Sequence, residues 1–154
     1  ASAAGVLLGG HLSDRLVIRR RAVRMEFEWI GLLFSAPFLI GMAYANTLVI
    51  CLVASGLYGI FRGVYDSNLF AAPFDVTAPR YRSSMVGFVL SFGFIIGAAA
   101  PYLLGAMKKP WGLEAGIVVL GAAYIVGAVA ALVALYAFFG RDFVPEELLE
   151  ETSP

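Results

Sequence analysis

The three longest stretches of this chain without Asp, Glu, Lys or Arg constrain the fold more than any other feature. They run over 29–61, 83–107 and 115–140. A helix needs about 20 mostly apolar residues to cross a hydrocarbon core of about 30 Å. The second and third stretches each predict one such helix, over 84–106 and 115–139. The first is longer and is interrupted by the polar run Tyr44-Ala45-Asn46-Thr47. It predicts two helices, over 27–45 and 48–72, joined by a tight turn. Composition agrees. Hydrophobic residues are 60% of the chain and charged residues 14%, against about 25% charged in soluble domains. One globular core of this size cannot bury so much apolar surface. An ordinary soluble domain, a disordered chain and a disulfide scaffold are therefore excluded. A single Cys and a single His exclude a metal site built from several of them, and no cofactor is implied. With 11 basic and 11 acidic residues, no net charge points to nucleic acid.

Residues 1–12 are small and apolar, and Ser13-Asp14-Arg15 follow. Twelve helical residues span only about 18 Å, too short to cross. They read as the inner end of a helix that begins upstream, with 13–25 a loop. Lys and Arg set the orientation. Arg15, Arg19, Arg20, Arg21, Arg24, Arg80, Arg82 and Arg141 fall on one side, and Lys108 and Lys109 on the other. Eight against two puts the Arg-rich side and the tail, 140–154, in the cytoplasm.

Arg62 and Asp66 stand inside the segment 48–72, four residues apart and so on one helical face. A charge at membrane depth is costly and faces a partner or a water-filled cavity. The same face carries Ser55, Tyr58, Gly59 and Tyr65, and the opposite face Leu57, Ile60, Phe61 and Val64. One polar stripe on an apolar helix is the pattern of a cavity lining. Arg62 suits a carboxylate or phosphate. Tyr58 and Tyr65 suit a sugar, and Asp66 suits a proton or serves as the resting partner of Arg62. If the helix starts near Leu48, Arg62 lies about 21 Å along it. An inner gate and a purely structural ion pair are therefore the competing readings.

The run Gly10-His11-Leu12-Ser13-Asp14-Arg15, followed by Arg19-Arg20-Arg21, resembles the G-x-L-x-D-R-x-G-R-[RK] loop signature of the major facilitator superfamily. Val17 replaces the second Gly, and the basic run is displaced by one residue. The segment 75–87 resembles the P-x-x-R-x-x-x-x-G loop between the tenth and eleventh helices. The resemblance implies an all-α polytopic membrane helix bundle, present in part, from the end of helix 8 to helix 12. The alternative register is helices two to six of the first half. It implies a cytoplasmic latch of Gly10, Asp14, Arg15 and Arg19, with Asp14 facing a helix outside the chain. Arg19 to Arg21 and Arg24 read as topology signals. It further implies a central cavity flanked by the segment 48–72, with Ser91 reaching it from the next helix.

The function implied is secondary transport by alternating access, not enzymatic catalysis. The resemblance to sugar-acid and organic-anion permeases implies an anion carried with a proton across a bacterial inner membrane. The implied partners are the lipid bilayer, the missing N-terminal half and the small solute. The alternatives are a carrier of neutral sugars or other small molecules, and a non-transporting protein of the same fold. A membrane enzyme would need more ionisable residues at depth than Arg62 and Asp66. Gly and Ala in 115–139 read as packing residues.

Overall fold

The computed structural model describes residues 1–20 and 22–140. Among these there is no strand. The helices are α1 (Ser2–Val17), α2 (Val23–Ala43), α3 (Leu48–Asn68), the single turn α4 (Ala71–Phe74) and α5 (Arg82–Ala134). A 3-10 turn, Pro79–Tyr81, precedes α5, and a π-helical turn, Leu135–Phe139, follows it. Three segments are long and apolar enough to cross a membrane: Val23–Ala43, Leu48–Phe74 and Pro79–Phe139. Of the expected tail, 140–154, residues 141–154 lie outside the described residues.

Helix boundaries follow local chemistry. Thr47 starts α3 by accepting a hydrogen bond on Oγ1 from the Ile50 amide at 3.3 Å, which satisfies one of the amides that a first turn leaves free. At the other end of α1 the structure departs from the expected break at residue 12. The helix continues to Val17, so Asp14 and Arg15 stand in its last turns and the link to α2 is only 18–22. Ser13 permits this. Its hydroxyl donates to the Gly10 carbonyl at 3.0 Å, so a polar residue is satisfied inside the helix with 2% of its surface exposed.

The longest segment also differs from expectation. Instead of a loop over 107–114, helix continues to residue 111 and is broken at Gly112, where φ is 81° and ψ is 165°. That backbone conformation belongs to Gly, because a Cβ would clash. The chain turns there. A Cβ on Gly116 would meet the Leu104 side chain at 2.6 Å, whereas twelve residues of straight helix span about 18 Å. Thus α5 is two rods, 82–111 and 113–134.

Close helix contacts are made through glycine. A Cβ on Gly9 of α1 would lie 2.8 Å from Val64 Cα, and one on Gly31 of α2 would lie 2.8 Å from the Tyr65 amide nitrogen. Contacts advance together along α1 and α3 (Gly59 with Ala1, Gly9 with Val64, Gly10 with Ser67), so these helices run parallel. They advance oppositely along α2 and α3. The second rod of α5 packs on α2, with Gly121 against Ile40 and Gly127 against Leu32. The first rod exposes Phe88, Phe92, Phe94, Ile95 and Tyr102.

Substituting Gly9 by Leu therefore forces α1 off α3. Overpacking of this kind costs about 1–3 kcal/mol, seen as a lower thermal unfolding midpoint in detergent. Gly41→Ala, with no atom within 4 Å of the new Cβ, leaves the midpoint within error.

Candidate functional site

Arg62 is held by three neighbours. Its Nε donates to Asp66 Oδ2 at 3.4 Å, and its Nη1 donates to Tyr58 Oη at 3.1 Å and to Tyr124 Oη at 3.2 Å. The two tyrosine hydroxyls share a hydrogen bond of 2.8 Å. Asp66 and Tyr58 reach Arg62 because each lies one turn away on α3. Tyr124 comes from the second rod of α5, and its ring lies 6.0 Å from that of Tyr58. A guanidinium has five N–H donors. The contacts named use Nε and Nη1, which leaves Nη2 without a partner among the described residues. With 47% of the Arg62 side chain exposed, that edge is open. The free Nη2 group presents two N–H donors, beside the two tyrosine hydroxyls, to an incoming anion. A carboxylate or phosphate matches such a group in charge.

The other expected residues are distributed differently. Ser55 donates to Met42 Sδ at 2.9 Å, across the α2–α3 contact. Tyr65 packs against Gly31 of α2. It has Glu28, Asp66 and Arg62 as electrostatic neighbours. Ser91 is exposed on the first rod of α5, outside the hydrogen-bonded group. Tyr124 was not among the sequence candidates. Its signal was faint: a lone phenol in a run of Gly, Ala and branched aliphatic residues.

A second polar group lies at the Arg-rich end. Arg24, at the start of α2, pairs with Asp14 through Nη2 at 3.2 Å and with Asp75 through Nη1 at 2.9 Å. It joins the end of α1 to the segment after α4. Asp14 is therefore engaged within this chain, while Arg15 and Arg19 are exposed. Arg24, expected to be a plain topology signal, is the hub. The loop carrying Asp75 is clamped by Arg82, which donates to the Phe74 and Thr77 carbonyls at 3.2 and 3.3 Å. Burial pushes the Asp75 carboxyl above its ordinary value of 3.8, against the opposing pull of Arg24 and Arg82. Among the described residues no group of His, Cys, Asp and Glu could hold a metal ion.

The model of the family described as Major Facilitator Superfamily matches residues 1–153. The sodium-dependent phosphate transport protein 3 of Homo sapiens is 31% identical over 107 residues, which is 63% of this chain and 23% of that protein. The chain thus spans less than a quarter of that relative's matched length scale, covering 23% of it. No solved structure matches.

Two outcomes are expected at the Arg-rich end. Arg24→Ala strands Asp75, whose side chain is 16% exposed. It lowers stability by roughly 1–3 kcal/mol, between the limits for exposed and buried pairs. Asp14→Asn, at a side chain 70% exposed, costs less than about 1 kcal/mol. Both are read as shifts in unfolding midpoint. The pH dependence has a definite sign. Asp75 holds its proton more tightly in the fold than in the unfolded chain. Its contribution is fully present below 3.8 and is lost as pH rises through the higher folded value. Relative to Asp75→Asn, the wild type therefore gains stability as pH falls through that window. A constant difference between the two proteins across it would contradict the assignment.

Proposed function

This chain belongs to the major facilitator superfamily, and from that membership we propose that it forms part of a proton-coupled carrier of small organic anions. Members of the family are transporters and not enzymes, and three segments able to cross a membrane make this an integral membrane protein. The observation that supports an anion as cargo is the open Nη2 edge of Arg62, held in place by Tyr58, Tyr124 and Asp66. The relative's name also concerns an anion, phosphate, transported with sodium. That name is the specific reason to keep sodium as the alternative coupling ion.

In this proposal the cavity lies between this part of the protein and an N-terminal half that supplies the remaining walls. Alternating access comes from one half rocking against the other around the site. An anion docking on Nη2 competes with Asp66 for the Arg62 charge, so cargo binding and the ion pair on α3 are linked. The Asp14–Arg24–Asp75 group closes the Arg-rich end, where Gly10 of α1 lies beside Ser67. Arg15 and Arg19 act from the surface of that latch. In this proposal the Arg-rich end faces the cytoplasm, in keeping with the Lys and Arg asymmetry, and the membrane is a bacterial inner membrane. Ser55, Tyr65 and Ser91 are second-rank candidates, since none joins the hydrogen bonds of Arg62.

The test is uptake into proteoliposomes by the whole protein, with labelled sugar acids compared with neutral sugars, and with proton and sodium gradients imposed separately. Acids are expected to accumulate with the proton gradient. Arg62→Ala lowers uptake at least about 100-fold, the equivalent of roughly 3 kcal/mol for a lost charge-assisted contact. Tyr124→Phe removes one of two hydroxyls on Nη1 and lowers uptake roughly fivefold. Equal movement of neutral sugars, with Arg62→Ala silent, would sink the anion assignment.

A further inference from the structure

The contacts of Arg62 are divided by nitrogen. Nε is held by Asp66, and Nη1 by the two tyrosine hydroxyls. An anion on Nη2 therefore takes a nitrogen that none of these contacts uses. Asp66 stays on Nε while the anion binds, so one guanidinium carries two negative groups side by side. Nε and Nη2 are bonded to the same carbon, which puts the guest next to the Asp66 carboxylate. That carboxylate has no second cation. Its Oδ2 accepts from Nε at 3.4 Å, its Oδ1 has no hydrogen-bond partner among the described residues, and its side chain is 34% exposed.

The formal charge of this group sums to zero before cargo arrives, with Arg62 positive and Asp66 negative. The electrostatic neighbours of Arg62 are Tyr58, Tyr124 and Asp66, with no second Lys or Arg among the described residues. Residues 48–74 carry no other charged side chain, and 115–140, the stretch that supplies Tyr124, carries none. Arg24 and Arg82 are engaged at the Arg-rich end, on Asp14, Asp75 and the Phe74 and Thr77 carbonyls. Tyr65 has a further acidic neighbour, Glu28, beside Asp66. A first negative charge on the cargo thus meets Nη2. A second meets Asp66 with no described cation to offset it. Like charges at neighbouring positions repel appreciably at the effective dielectric of a half-exposed protein site.

We propose that Asp66 limits the cargo to a single negative charge: it remains on Arg62 Nε while a monoanion occupies Nη2, and it repels the second charge of a dianion. Asp66 is then a specificity-determining residue as well as the partner that holds Arg62 in place. No bond is made or broken in this discrimination, and no proton moves. It rests on the reading of Arg62 as the anion site and adds to that reading a charge limit on what the site accepts.

The experiment measures exchange of labelled gluconate and glucarate in proteoliposomes that contain the whole protein and are preloaded with the same acid, so that no ion gradient is needed. The two acids share a six-carbon skeleton and differ in whether one end or both carry a carboxylate. Wild type is expected to half-saturate with gluconate at a concentration at least about tenfold lower than with glucarate, a discount on the full Coulomb repulsion because the pair is partly exposed. Asp66→Asn keeps an oxygen for Nε but drops the charge, and the two acids are expected to come within about threefold of each other. Asp66→Glu keeps the charge and keeps the preference. Where Asp66→Asn fails to fold, the wild-type preference decides alone. Equal half-saturation in the wild type overturns the charge limit and leaves Arg62 as an anion site, with a second cation facing it from the other half. An Asp66→Asn protein that weakens both acids alike, with their ratio unchanged, marks a structural ion pair and also overturns it. If neither acid exchanges, the anion reading of Arg62 falls, and the charge limit with it.

Discussion

A hydrocarbon interior offers no water to a charged side chain, so each such group must be satisfied by the protein around it. Arg62 meets that demand with a carboxylate one turn along α3, a phenol one turn back and a second phenol from α5. The rest of the bundle is arranged so that these groups can meet. Glycines at 9, 31 and 63 let α1 and α2 approach α3 at backbone distance. The turn at Gly112 returns the second rod of α5 to the bundle, where Tyr124 reaches Arg62.

The seam between α2 and α3 connects the two polar groups. At one end Arg24 joins Asp14 to Asp75, and further along Tyr65 lies between Glu28 and the Arg62–Asp66 pair. Aromatic stacking of Phe61 with Phe34 and Phe38, at 5.4 and 5.6 Å, holds the seam from the apolar side. Helices packed so closely move as a unit, and sub-ångström changes at one end are transmitted rather than absorbed.

Much of this was legible beforehand, and the failures have physical causes. The Arg62–Asp66 and Arg62–Tyr58 contacts follow from a spacing of four on one helix, which any helix of that register must produce. Tyr124 was missed because it lies 62 residues from Arg62, and no local pattern reports so distant a contact. Arg24 was read only as one of several cytoplasmic charges, because its role depends on Asp14 and Asp75 arriving from two other segments. The end of α1 was placed at residue 12 since hydropathy falls there. Hydropathy does not register that Ser13 can bond to its own helix. Tyr65 shares the polar stripe in sequence, yet the close approach of Gly31 to its backbone and Cβ sets it at the seam with α2.

From the sequence alone came the apolar runs, the single buried-depth ion pair, the asymmetry of Lys and Arg, and the loop signature of the family. These are one-dimensional quantities: lengths, spacings and counts along the chain, which the thickness of a bilayer and the pitch of a helix convert directly into spans and faces. Which charge pairs with which was decided only in the tertiary structure. Arg24 between two carboxylates and Tyr124 on Arg62 both depend on how closely and in what register separate helices pack. That register is set by backbone contacts at glycine, through the geometry of helices that the sequence does not place side by side.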